Sequence, residues 1–403
     1  MSVQRRKFVV GLGGVAALTL PVTAHASADG QAAVFGVKDF GAVGDGVTDD
    51  APAFQAAIRA AEATVPRRVV FVPNGTYRLN MPLIFTQHSV GLVGQEDSGV
   101  FLNYYGDEPE AILLTSGGPT RLENFRLSKT GGAGTDGIVF RQADRASTTF
   151  RNVIRNVTVR DFTEGNGLTF SGCEQALVDG VSALNCRVGF YSTTNPSGGG
   201  GALNNVFQRC RAQSCTSHGW DIDDMHGSTF TGCQALLNGP GASGFPQFLM
   251  RGSCRGNLVW ALDAENPDGA PGRGYGLTCG GSGHVVNASM YGLDTGIYIA
   301  SGVGIVVIAG KYSSVSAPVH IGAGSSKITV LDANNNVTDD SGSADNFIVA
   351  ANGVRFNSPI VASGKVPNSA TDSGVTGQYE WDSDYIYLCT APNQWKRVSL
   401  TSW

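Results

Sequence analysis

Gly137-Ile-Val-Phe140, Gly167-Leu-Thr-Phe170, Gly189-Phe-Tyr191, Gly219-Trp-Asp-Ile222, Gly276-Leu-Thr-Cys279 and Gly296-Ile-Tyr-Ile299 repeat one short pattern, a glycine followed by an alternating strand. Their starts lie 30, 22, 30, 57 and 20 residues apart, and the long gap divides if Gly244-Phe-Pro-Gln-Phe248 is counted as a looser copy. A second register centres on Ile154, Val178, Phe207, Phe230, Val259, Val286 and Val307, at steps of 24, 29, 23, 29, 27 and 21 residues. Two strand columns recurring at an irregular step describe rungs with fixed strands and variable turns. A sandwich would place strands every 8–12 residues with no rung-length repeat. The expectation is an all-β parallel β-helix, a solenoid whose outer walls carry every second strand residue.

Composition agrees. Glycine is abundant at 55 of 403 residues, and charged residues are only 15%, which favours tight turns and inward aliphatic stacks over charge-rich helices. Gln4-Arg5-Arg6-Lys7-Phe8 precedes an apolar stretch to Val22 and then Ala24-His25-Ala26, so residues 1–26 read as a cleaved twin-arginine-type signal peptide. The protein is therefore expected to be secreted or periplasmic in a bacterium. Cleavage removes Arg5, Arg6 and Lys7 and no acid, taking the formal charge from -5 to -8. That balance argues against a polybasic grip on nucleic acid. Beyond the leader no apolar run approaches a membrane span. Cys210 and Cys233 each follow a stacked phenylalanine by three residues, so they read as inward thiols stacked in a core, not as a bridge.

At the start of the mature chain, Asp39-Phe-Gly-Ala-Val-Gly-Asp-Gly-Val-Thr-Asp-Asp50 leads into a helix with an apolar face of Phe54, Ala57, Ile58 and Ala61. Thr48 or Asp49 is the expected cap, and the helix is expected to cover the open end of the solenoid. Val70-Phe-Val-Pro-Asn-Gly-Thr-Tyr77 follows as strand and tight turn. These motifs resemble the N-terminal signature of the pectate-lyase-like superfamily, which includes polygalacturonase-related enzymes, rhamnogalacturonases, some epimerases and phage tailspikes. The resemblance covers roughly residues 35–360 and implies a right-handed β-helix. Asp45, Asp49 and Asp50 read as turn and helix-start residues, not as a metal site. After Lys365 the pattern changes, and Gly377–Val398 reads as two short strands around Ala391-Pro-Asn-Gln394. This stretch resembles small C-terminal tails of phage tail-fibre proteins, which implies a cap, a homotrimer, or sugar binding through Trp381, Tyr385, Tyr387 and Trp395. The expected domains are thus the leader at 1–26, the β-helix at 27–364 and the β tail at 365–403.

Chemistry is expected on the outer wall. If Trp220 and Ile222 face the core, Asp221 and Asp223 face out about 6–7 Å apart, with Asp224 and His226 close by. Inverting glycosidases separate acid and base by about 6.5–9.5 Å, so Asp221, Asp223 and Asp224 are the expected catalytic acids. Tyr191, Thr193, Thr278, Tyr298 and His320 are expected on neighbouring outward positions, with Arg251 aligned to His226. A second set, Asp263, Glu265, Asn266, Asp268, Arg273 and Tyr275, sits in a long turn at 264–274. With the turns at 194–202 and 239–245, it is expected to overhang the same groove. Substrate contacts are assigned to Tyr191, His226, Arg251, Glu265, Arg273, Tyr275 and Tyr298. No metal or other cofactor is expected.

The family's own motifs bear on the reaction. Polygalacturonases carry Asn-x-Asp, Asp-Asp, Gly-His-Gly and Arg-x-Lys, of which this chain has only Asp223-Asp224 in place. The Asp-Pro-His of mannuronan epimerases is absent, so neither activity carries over by motif. Nucleophile-elbow and phosphate-loop patterns are missing too. The leading expectation is an exported polysaccharide-processing enzyme, a glycoside hydrolase. A polysaccharide lyase drawing on Arg251, Arg273, His226, His284, Tyr275 or Lys311 is the alternative enzyme. A non-catalytic, tailspike-like glycan binder is the rival from another class.

Overall fold

The computed structural model describes residues 33–64, 68–87, 89–115, 119–131, 134–141, 151–194, 201–239, 245–266, 274–332, 334–343, 345–351, 353–356, 366–374 and 379–401. The leader, Asp268 and Arg273 lie outside these residues, as do most of the turns expected at 194–202 and 239–245.

Three parallel columns of short strands wind around one apolar interior. The second register quoted above is the first column, in which Ile154, Val178, Phe207, Phe230, Val259, Val286 and Val307 pair each with the next. The column extends both ways, back through Leu122, Leu92 and Val70 to Phe35 and on to Val330 and Ile348. The glycine-led motif is the third column, an 11-stranded parallel sheet. There Ile138, Leu168, Phe190, Trp220, Phe248, Leu277, Ile297 and Val319 stack in order. Between them runs a second column whose inward residues are Val159, Ala183, Ala212, Ala235, Ala264, Met290 and Tyr312. Small side chains here leave room for the rings opposite.

Those rings form the densest part of the interior. Phe190, Trp220 and Phe248 stack face to face, with centroids 3.9 and 5.3 Å apart. Phe207 and Phe230 stack at 4.9 Å, and each meets Trp220 edge-on at 5.7 Å. Both arrangements suit the ring quadrupole and add to the burial of large apolar area. Trp220 keeps its polar edge satisfied by donating to the Gln234 carbonyl at 3.1 Å.

The glycine that opens many third-column strands has a steric cause. A Cβ at Gly189 would lie 2.6 Å from the carbonyl oxygen of Gly219 on the next rung and 2.8 Å from the Ala212 methyl. At Gly219 it would meet the Gln247 carbonyl at 2.9 Å. At these rungs the corner thus brings backbone against backbone, a closeness that glycine permits without displacement. The glycine is not kept on every rung: Ala111 and Pro318 hold its place before Ile112 and Val319, and a third rung departs further. Phe248 pairs with Trp220, so Gln247, not Gly244, takes the glycine position, three residues on from the looser copy expected there. Gln247 is fully buried; its Oε1 accepts from the Asn238 amide and side chain at 2.9 Å, and its Nε2 donates to the Asn238 carbonyl at 2.8 Å.

The coil begins with the first described strands. Ala33–Gly36 and Asp45–Asp49 already form a rung on Arg68–Val72 and Gly75–Leu79. The helix Ala51–Glu62 takes the third place in that rung, burying Phe54, Ala57, Ile58 and Ala61 completely over the end of the stack. Asp50, not Thr48 or Asp49, is the N-cap residue, although its carboxylate accepts from the Val43 and Gly44 amides at 2.5 and 3.1 Å. Asp49 accepts from the Ala51 amide at 3.2 Å, and Asp45 closes a turn by accepting from Val47 and Thr48, both at 2.8 Å. All three acids therefore hold local backbone, as expected. The tail has three antiparallel strands, Tyr379–Trp381, Tyr385–Ala391 and Gln394–Ser399, not two. Tyr387 and Trp395 pack with Cys389 as its small core, so they are not open sugar platforms.

Buried polar side chains stitch the turn between the third and first columns. The Asn205 amide donates to the Ser228 hydroxyl at 3.0 Å, the Ser228 amide to Asn257 Oδ1 at 2.8 Å, and the Asn257 amide to His284 Nδ1 at 3.1 Å. His284 is fully buried and its Nε2 donates to the Gly280 carbonyl at 3.0 Å, so it is a ladder residue, unavailable as the lyase base considered above. Cys210 and Cys233 are buried thiols at equivalent points of successive rungs.

Burial pushes the His284 imidazole down to about 4, against hydrogen bonds to Gly280 and Cys254 that favour its charged form. Above pH 6.5 folded and unfolded chains both hold it neutral, and stability is at its full value. As pH falls from 6.5 to about 4, the unfolded chain takes up a proton that the folded one refuses, and about 3 kcal/mol is lost. His284→Asn, which supplies the acceptor used by the neighbouring rungs, should flatten the difference in urea stability between pH 7 and pH 4. Parallel pH profiles for the two proteins would contradict this.

Candidate functional site

Trp220 and Ile222 do face the core, and the residue between them points to the outer wall of the third column. The outward row across successive rungs reads Thr169, Tyr191, Asp221, Leu249, Thr278, Tyr298 and His320. The strand alternation thus places Tyr191, Thr278, Tyr298 and His320 in one outward row with Asp221, as expected, with Tyr191 its neighbour. Tyr275 lies on the same wall, its ring 5.2 Å from that of Tyr298, which in turn lies 5.1 Å from the His320 ring.

The three aspartates differ sharply in their surroundings. Asp221 is only 6% exposed, because Arg251 on the next rung clamps it with two parallel hydrogen bonds, Nε to Oδ1 and Nη2 to Oδ2, each 2.7 Å. That bidentate pairing engages both carboxylate oxygens and raises the guanidinium pKa above its ordinary value. Asp221 is therefore a fixed anion with a fixed partner, not the freely outward acid the spacing predicts. Arg251 correspondingly does not align with His226; the residue bridged to His226 is Arg255.

Asp223 and Asp224 leave the strand and are half-buried at the rim. Asp223 is anchored through its backbone, donating to the Ser192 hydroxyl at 3.0 Å and accepting from it at 2.7 Å. Asp224 adopts a left-handed conformation, φ 50°, which turns the chain toward His226. The Asp224 Oδ1 and His226 Nε2 lie 3.0 Å apart. Ser253 joins the two acids: its hydroxyl donates to Asp223 Oδ1 and accepts from the Asp224 amide at 2.9 Å. Sequence reasoning missed Ser253. Only the three-rung register, which carries Arg251, Gly252 and Ser253 up against 221–224, would have revealed it. Among the described residues no three His, Cys, Asp or Glu side chains gather as a metal site.

Two further groups border this wall. Arg187 donates to Asn166 Oδ1 at 2.6 Å, and Asn166 and Thr169 both donate to Asp136, at 3.1 and 2.7 Å. His218 is nearly buried, its ring edge-on to Phe245 at 5.2 Å; burial lowers its pKa, with Asp221 acting against that and Arg251 and Arg187 reinforcing it. Glu265 is not part of this groove. It ends the strand Leu258–Glu265 in the second column, where it pairs with Tyr291, on a different wall. The expected overhanging turn therefore contributes no described residue beyond the strand end except Asn266 and Gly274.

Residues 34–105 match the family described as rhamnogalacturonase A/epimerase, pectate lyase-like, which bears out the resemblance read from the N-terminal motifs. Among curated relatives, the chain is 53% identical over 38 residues to a capsule K30/K69-specific depolymerase of Klebsiella phage K64-1, covering 9% of this chain and 5% of that protein. It is 37% identical over 97 residues to a glucan 1,3-beta-glucosidase of Cochliobolus carbonum, covering 22% and 12%. The chain thus spans only a small part of the length of these relatives. Among solved structures, ORF18 of Geobacillus virus E2 superposes with a TM-score of 0.59 at 14% identity, over 91% of this chain and 76% of that one. DFA-IIIase from Arthrobacter chlorophenolicus A6 superposes with a TM-score of 0.50 at 14% identity, over 81% and 99%. At such identities the superpositions show the fold alone.

The Asp221–Arg251 pair carries a stability cost if broken from one side. Arg251→Ala leaves a nearly buried carboxylate unpaired and should destabilise the protein by about 2 kcal/mol, between the values for surface and buried pairs. In urea unfolding, Asp221→Asn combined with Arg251→Ala should lose less than the two single changes summed. Strict additivity would show that the pair is not coupled.

Proposed function

We propose that this chain is a polysaccharide-processing enzyme, a glycoside hydrolase whose substrate lies along the third-column wall over Asp221, Asp223 and Asp224. The observation that supports it is the Asp223–Ser253–Asp224–His226 network at the rim of a wall lined by Tyr191, Tyr275 and Tyr298. Glycoside hydrolysis needs one carboxyl to protonate the leaving oxygen and another to activate water or attack the sugar. Asp223 and Asp224 are the pair assigned to proton transfer. Asp221, held by Arg251, supplies fixed charge and positions Arg251 toward the groove. The tyrosines offer apolar ring area for sugar carbons, and Thr278 and His320 offer hydrogen-bonding groups. Polysaccharide-acting relatives and the pectate-lyase-like match support the same class.

Arg251 also favours a second reading. Its side chain is 46% exposed although both Asp221 oxygens hold it, so one face remains open to a sugar carboxylate. Neutralising such a carboxylate is what a polysaccharide lyase requires before a base removes the adjoining proton. The same proposal includes export through the leader at 1–26 and assembly as a homotrimer, which light scattering can read. Among the described residues no helix is long and apolar enough to cross a membrane.

A screen of acidic and neutral polysaccharides, read both for new reducing ends and for ultraviolet absorbance of unsaturated ends, tests the function. Hydrolysis gives reducing ends without the absorbance, and elimination gives both. Asp223→Asn should lower turnover by about a hundredfold or more with unchanged thermal unfolding. Products on no polymer would favour the glycan-binding alternative, and full activity in Asp223→Asn would remove this site.

A further inference from the structure

On the second-column wall, a separate cavity of about 530 Å³ spans three rungs. Its lining comes from a regular grid: Asp263, Ser289 and Lys311 stack in one outward row, and Glu265 and Tyr291 in the next. Strand spacing and rung spacing make this patch about 7 Å across and about 10 Å along the axis, the footprint of one or two sugar rings. A β-bulge opens it. Val259 pairs with Val286 and Leu262 with Ala288, so Trp260 and Ala261 together oppose the single residue Asn287, and Ala261 takes a left-handed φ of 53°. Bulges of this kind bend a strand and re-aim its side chains, and they are enriched beside functional sites. Asn287 is fixed at the cavity by donating to the Ala309 carbonyl at 2.6 Å, and Asp263 accepts from Gln234 at 3.3 Å.

We propose that this cavity is a second carbohydrate site, which grips a neutral segment of polysaccharide away from the Asp221–Asp224 wall. It rests on the reading of the chain as glycan-acting and adds a binding function that the proposed catalysis does not need. Tyr291 is 38% exposed, an aromatic left open at the cavity. Its ring offers the apolar surface against which the C–H face of a sugar packs. Around it stand acceptors, Asp263 and Glu265, and donors, Lys311 and Asn287, matched to hydroxyl groups in both senses. Two carboxylates face one ammonium, so the cavity carries a net negative charge that repels a uronate or a phosphate-bearing sugar. The third-column wall carries acids as well, Asp221, Asp223 and Asp224, but sets the half-exposed Arg251 among them. The two walls thus divide holding from cutting.

Electrophoresis of the full-length exported protein through gels containing laminarin, dextran or galactomannan, with alginate as the acidic control, tests this. At least one neutral polymer should retard the wild-type protein. Tyr291→Ala, and Asp263→Asn combined with Glu265→Gln, should lose that affinity by about tenfold or more. Tyr291→Phe, which keeps the ring, should retain it. Asp223→Asn should also be retarded as wild type, so that failure of the catalytic reading and failure of this site are read separately. Tyr291→Ala should still cleave short oligosaccharides of whichever polymer the protein degrades. Retardation by alginate alone, retardation by no polymer, or wild-type migration of Tyr291→Ala would each overturn the proposal. Loss of oligosaccharide cleavage in Tyr291→Ala would place the cavity within the catalytic site and overturn its separateness.

Discussion

Everything in this molecule depends on like stacking on like at the rung spacing of about 4.8 Å. The parallel ladder sets each inward side chain on its counterpart one rung away, so Phe190, Trp220 and Phe248 must share one orientation, and Phe207 and Phe230 another. The same register governs the outside. It brings Arg251 to Asp221 and Ser253 to Asp223 and Asp224 across about thirty residues of chain. A one-residue slip would exchange core and wall for every strand, so the site inherits its precision from the interior.

Much of this order is visible in the amino-acid sequence because large apolar residues mark two of the three columns. The second column is hidden, since its inward residues are mostly alanines, which carry no strand signal of their own. The glycine corner is visible for the same reason that it is used: a Cβ at Gly189 or Gly219 would press on the next rung's carbonyl. One exception, Gln247, could not be anticipated, because it replaces the glycine with a buried amide pair to Asn238.

The candidate site was legible in composition but not in pairing. Alternation correctly sent Asp221 outward, into one row with Tyr191 and Tyr298. It could not show that Arg251 removes Asp221 from solvent, since that depends on how many residues each turn inserts between rungs. Glu265 illustrates the same limit. Its place in a long glycine- and proline-rich stretch points to the Asp221 groove, yet the strand runs through to residue 265 and fixes it on another wall. His284 likewise carries a reactive side chain in the sequence and a purely structural task in the fold, where it substitutes for the asparagines and serine of the preceding rungs.

Catalysis on this fold requires a sugar chain lying along the third column. A crystal structure of the Asp223→Asn protein, soaked with oligosaccharides of the polymer that the wild-type protein degrades, tests this most directly. Sugar rings ordered between Tyr191 and Tyr298, with a glycosidic oxygen over residues 223 and 224 and a polar contact to Arg251, are the predicted result. Sugar ordered only on another wall, with the third column bare, would contradict it.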